Sequence, residues 1–265
     1  MVAAFALPIA GLAMALAGVA GTGAVSVAVL VAVLLLVVSL PSVFAMPDDR
    51  SAGLVIALAG GSALILTLVE GSRVDGLPDG IAYLAPVVGI IFFASVASQL
   101  VRRDGRDDLV PSLALTVSAA SLAAMGSVWL PLSRTPAGST AVIVTGVALA
   151  LAGAVMIGFD VADPNGRARW IRQAVAVMVA GVGAAIGAPI AGGLGSVQGF
   201  AAGVLAGAVA LVAGLFVVSA GRERRIEGGG VAMLVDVDLA GVLAAAIAVL
   251  LAAGPVFVFV RILVG

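Results

Sequence analysis

The sequence predicts an all-α, polytopic membrane protein of about nine transmembrane helices, with its N-terminus cytoplasmic and its C-terminus outside. Three observations carry this. Hydrophobic side chains make up 63% of the 265 residues and charged ones 10%, against about 45–50% and about 25% in soluble domains. Apolar runs of about 20 residues, the length that crosses a bilayer core, recur from one end to the other. The arginines fall almost entirely on alternate connections, as basic residues retained on one side of a membrane do. No polar stretch is long enough to fold alone, so residues 1–265 read as a single transmembrane domain.

The first span covers residues 2–20 and stops at Gly21-Thr22-Gly23. It has neither a basic leader region nor a small-residue cleavage site, so it reads as a retained span. The second, 24–46, holds Pro41 near its end, where a kink or a stop is expected. Pro47-Asp48-Asp49-Arg50 forms a polar turn before the third span, 52–69. Turn residues Gly71, Gly76 and Pro78 fill the next connection. The fourth span, 80–101, has the only tyrosine, Tyr83, near its entry. A charge-dense loop, 102–108, precedes the fifth span, 109–132, where Trp129 lies near the exit and is expected at the headgroup level. The sixth, 139–159, ends at Asp160.

The seventh and eighth spans, 173–192 and 197–218, differ in being rich in glycine and alanine. Gly183 and Gly187, and Gly199, Gly203 and Gly207, recur every fourth residue. Small residues at that spacing line one helix face and admit a second backbone, so these five are predicted helix-packing positions. Pro189, set among glycines, is a candidate break in the seventh helix, where freed carbonyls could build a transport site. The ninth span covers 239–260, with Gly254-Pro255 inside it.

Orientation follows from the arginines. The even-numbered connections hold ten of the thirteen: Arg50; Arg102, Arg103 and Arg106; Arg167, Arg169 and Arg172; Arg222, Arg224 and Arg225. Arg73, Arg134 and Arg261 take the other side. The even connections are therefore cytoplasmic.

Cysteine and histidine are both absent. That removes disulfides, thiolate metal sites, cysteine nucleophiles and the commonest general base. Every basic residue is arginine, a usage that fits a GC-rich bacterium and hence a bacterial cytoplasmic (inner) membrane, multi-pass location. There is no basic tract for nucleic acid. No ionisable residue falls in the middle of the first eight spans. Ion-coupled transporters use such groups at membrane depth, so coupled transport is disfavoured.

Chemistry, if any, belongs to the polar stretch 219–241 and to Asp160. Asp236 and Asp238 would share a side and hold a divalent cation if residues 228–237 were extended. In a helix they diverge by about 200° and instead favour the N-terminal dipole of the last span. Arg222, Arg224 and Arg225 are candidate contacts for phosphate or lipid headgroups, or simply enforce topology. Gly228-Gly229-Gly230 is no phosphate loop, since no Lys-Ser/Thr follows.

The layout resembles the integral-membrane CTP:phosphatidate cytidylyltransferases over residues ~100–265. Arg106–Leu132, then Thr135-Pro136-Ala137-Gly138 and an apolar span closing at Gly158-Phe159-Asp160, is similar to that family's middle. Before the last span the family carries Ser-x-x-Lys-Arg, Lys-Asp-x-Gly, Pro-Gly-His-Gly-Gly and Asp-Arg-x-Asp-Ser. Here Ser219 and Arg222, Gly229-Gly230, and Asp236 and Asp238 stand in for parts of it. The Lys-Asp-x-Gly element, the histidine and the Ser-Pro-Lys-Lys-Thr segment have no counterpart. The resemblance thus implies a cytidylyltransferase-like fold without its catalytic residues: an accessory or partner subunit in cell-envelope or phospholipid metabolism. Its partners would be membrane lipids and a second membrane protein, or another copy, through the glycine-rich helices. No cofactor is expected. The alternatives are a residual lipid-phosphate transferase using Asp160, Asp236, Asp238 and magnesium, and an uncoupled small-molecule or lipid transporter.

Overall fold

A chain with no water along its length must satisfy every backbone N–H and C=O internally, which a helix does within one segment. The structure, a computed structural model, describes residues 2–44, 49–70, 84–101, 109–162, 169–227 and 233–264. Among these, no strand occurs and nearly every residue is helical.

The helices are α1 (Val2–Ala20), α2 (Thr22–Phe44), α3 (Asp49–Glu70), α4 (Leu84–Val101), α5 (Leu109–Met125), α6 (Trp129–Ser133), α7 (Pro136–Ala162), α8 (Arg169–Ala191), α9 (Ser196–Glu227) and α10 (Met233–Val264). One 3₁₀ turn, Gly126–Val128, joins α5 to α6 in a single continuous rod. Seven of these rods are long and apolar enough to cross a membrane: α2, α3, α5–α6, α7, α8, α9 and α10. Shorter apolar stretches, Phe5–Ala20 in α1 and Pro86–Ala97 in α4, accompany them. The fold is that of a multi-pass membrane protein.

Helix ends at one side of the bundle are tight and capped. Gly21 alone separates α1 from α2; its φ of 99° is the left-handed value that ends a helix, and its N–H donates to the Ala17 carbonyl at 3.0 Å. Gly192, φ 87°, ends α8 in the same way. Thr135 caps α7, its hydroxyl accepting the Gly138 N–H at 3.1 Å, and Pro136 opens the first turn where no donor is needed. Gln198 reaches back to the Gly195 N–H at 2.9 Å at the head of α9.

Cross-links gather these ends on one face. The Ser133 hydroxyl donates to Thr22 Oγ1 at 3.1 Å, tying α6 to α2. Arg134 donates from Nη2 to the Thr67 carbonyl near the end of α3, at 3.3 Å. Basic groups suit a helix C-terminus, where carbonyls lack partners. Thr140 Oγ1 lies 3.5 Å from the Ala191 oxygen, joining α7 to the end of α8. Residues 45–48, 102–108, 163–168 and 228–232 lie outside the described residues.

Two expectations are corrected. Trp129 is not an exposed indole at the rim of the bundle: its ring is fully buried between helices, and its indole N–H donates to the Val249 carbonyl of α10 at 2.9 Å. The bundle offers the indole nitrogen an acceptor, so burial costs it no hydrogen bond. Pro189 does not break its helix, because α8 runs through it to Ala191. In the last turn a proline costs only one hydrogen bond, that of the Ala185 carbonyl.

Candidate functional site

The predicted acids lie near the ends of three helices. Asp160 is close to the C-terminus of α7, and Asp236 and Asp238 are in the first two turns of α10. Arg222, Arg224 and Arg225 belong to the last turns of α9. The apolar part of α9 ends at Val217, yet the helix continues to Glu227. Those ten residues extend about 15 Å at 1.5 Å per residue. Helices α7, α9 and α10 pack against one another. At the level of the backbone, all six candidates therefore share one end of a three-helix cluster.

Helix α10 begins at Met233, so Asp236 and Asp238 are both helical positions, about 200° apart around its axis. The extended arrangement that would align them does not exist over 233–237, and residues 228–232 lie outside the described residues. The side chains of Asp160, Asp236, Asp238, Arg222, Arg224 and Arg225 also lie outside them. In the sequence, the connections that carry ten of the arginines and the span ends beside them also carry eleven of the fourteen acids, so charge there nearly balances.

The glycine positions divide sharply. A Cβ on Gly203 would collide with Ala184 Cβ and stand 2.5 Å from the Ala180 carbonyl. One on Gly199 would meet Ala188 and the Ala184 carbonyl, and one on Gly207 would lie 3.1 Å from Val177 Cα. The three glycines of α9 thus seat an alanine row of α8, Ala180, Ala184 and Ala188, all fully buried. Gly183 faces elsewhere, against Leu151 of α7, and Gly187 has nothing within 4 Å. A second seam of the same kind, missed in the sequence, joins α1 to α7. Gly11 seats on the backbone of Gly146 and Ala150, and Gly146 on that of Gly11 and Ala15. Gly153 accepts the ring of Pro8. Dispersion between closely apposed backbones replaces the hydrophobic drive that lipid cannot give.

The described interior carries hydroxyls and no charge. Ser39, Thr67, Ser95, Ser112, Thr116, Ser127, Ser133, Thr140 and Thr145 are its buried polar residues. Thr67 and Thr116 donate to the carbonyl four residues back, and Ser127 to the one three back, which satisfies each within its own helix. Thr145 Oγ1, fully buried in α7, has no partner. Most of these hydroxyls are thus spent on their own helix or on a neighbouring helix end. The chain matches no family model, no curated protein and no solved structure.

Proposed function

We propose that the chain is a non-catalytic, multi-pass protein of the bacterial inner membrane that serves as an accessory subunit to a partner in cell-envelope or phospholipid metabolism. The observation that carries this reading is the interior. Its described positions are apolar apart from scattered hydroxyls, most of them bonded to their own helix, and the Trp129 indole; its closest helix pairs meet backbone to backbone. Such an interior is suited to holding shape within lipid. The layout resemblance to the cytidylyltransferases, with their lysine–aspartate and histidine elements missing, supports the link to phospholipids. In this reading there are nine spans with the N-terminus in the cytoplasm, supported by the apolar stretches of α1 and α4 beside the seven long rods and by the arginine alternation.

Epitope-tagged protein at its native expression level, extracted in mild detergent and analysed by mass spectrometry, tests this. A membrane protein of lipid or envelope metabolism is expected in stoichiometric yield. A solitary monomer would refute the subunit reading.

A second reading is favoured by one observation, the shared helix end of Asp160, Asp236 and Asp238. There the chain would be a residual lipid-phosphate transferase, with the acids holding magnesium and Arg222, Arg224 and Arg225 meeting phosphate. Loss of a phospholipid species in Asp236→Asn cells supports it, and an unchanged lipid profile sinks it. The transporter reading loses its main support, because the candidate broken helix at Pro189 is continuous.

A further inference from the structure

The fifth rod and α10 are each weakened at the place where they touch. In the fifth rod, the buried 3₁₀ turn Gly126–Val128 interrupts the α-helical ladder, and Pro131 has no N–H for the Ser127 carbonyl. Such a turn inside a helix holds its hydrogen bonds less well and often serves as a hinge. In α10, Gly254 precedes Pro255, which has no N–H for the Leu251 carbonyl.

These weak points fit reciprocally. Leu250 of α10 fills the space where Gly126 would carry a Cβ, and Met125 Cε lies 2.6 Å from where Gly254 would carry one. Between them the Trp129 indole N–H donates to the Val249 carbonyl at 2.9 Å, fully buried. Hydrogen bonds of this kind between membrane helices contribute on the order of one kcal/mol, enough to bias an equilibrium without freezing it.

We propose that this crossing is a hinge, with Trp129 anchoring the segment of α10 that precedes it at Val249, about which the last third of α10 tilts against the rest of the bundle. The moving arm is 256–264, packed inward through Val256, Phe257 and Val260. Seven residues separate Pro255 from Ile262, about 10 Å of helix, so a bend of about 25° moves that tip by about 4 Å. Paired breaks in facing helices confine the bending to one level, and the Trp129 anchor holds the base about which the arm turns.

The chain has no native cysteine, so spin labels report only where cysteines are introduced. Ile262→Cys with Val197→Cys, both exposed and at the same side of the bundle, spans the arm and a fixed helix. Val19→Cys with Val197→Cys is the control. Double electron–electron resonance in nanodiscs should show the first distance distribution narrowed by up to about 4 Å in Pro255→Ala, which restores the missing donor, and broadened in Trp129→Phe, which frees the base of the arm. The control distance should stay unchanged in both. Superimposable first distances in wild type and Pro255→Ala would overturn the hinge even if Trp129→Phe fails to fold. Equal changes in both pairs would also overturn it, as a general loosening of the bundle.

Discussion

Adding one methyl group at Gly203 should loosen the α8–α9 seam, while the same addition at Gly187 should not. A Cβ at Gly203 would collide with Ala184 Cβ, lie 2.5 Å from the Ala180 oxygen and lie 3.0 Å from Gly181 Cα. Two of these three are backbone atoms and the third is an alanine methyl, so no side chain can rotate away. Ordinary contact begins near 3.4 Å, which requires the helices to part by about 1 Å. A gap of that size forfeits up to about half of each dispersion well along the row, including the contacts at Gly199 and Gly207. Overpacking of this kind costs about 1–3 kcal/mol, and the better helix propensity of alanine returns about 1 kcal/mol. The net expectation is a loss of up to about 2 kcal/mol for Gly203→Ala. For Gly187→Ala, which meets nothing within 4 Å, it is a change between zero and a gain of about 1 kcal/mol. Unfolding of the purified protein in a denaturing detergent, followed by tryptophan fluorescence and circular dichroism, measures both. Equal stability of the two variants would refute the backbone-to-backbone seam.

Other expectations follow from single groups. Thr145→Val replaces a buried, unpartnered hydroxyl by a methyl of similar size, so it should stabilise the fold by about 1 kcal/mol or more in the same assay; a loss would mean that the hydroxyl has a partner in the membrane. Alkaline phosphatase fused after residue 264 should be active, and fused within 102–108 inactive, if the arginine-rich connections are cytoplasmic; the reverse pattern would invert the orientation.

The long rods were legible in the sequence because lipid demands about 20 apolar residues per crossing and because charge is pushed to the ends. Their partners were not. In water, an amphipathic stripe tells which face is buried, but in lipid both faces are apolar. The spacing of Gly199, Gly203 and Gly207 exposed one side of a seam, yet its other side is alanine, which fills every span of this chain. The α1–α7 seam rests on Gly11 and Gly146, single glycines 135 residues apart in the chain, with no spacing to mark them. Trp129 sits four residues from the end of its rod, a position that suggests an interface. Only the presence of the Val249 carbonyl across the bundle makes it an interior residue. Pro189 and Pro41 likewise look like stops, but lie near helix ends where one lost hydrogen bond is tolerated. The acids were legible as a group because they mark helix ends. Their register on α10, with Asp236 and Asp238 about 200° apart, required knowing that the helix starts at Met233.

The claim that this chain supports a partner and does no chemistry of its own is tested most directly in one pair of strains. Tagged wild-type protein and an Asp160→Asn, Asp236→Asn, Asp238→Asn variant are each expressed at the native level. Both are extracted in mild detergent for mass spectrometry, and the lipids of both strains are profiled. A non-catalytic subunit predicts the same stoichiometric partner and the same lipid profile from both. A wild-type protein that purifies alone, with a lipid species lost in the variant, would contradict it.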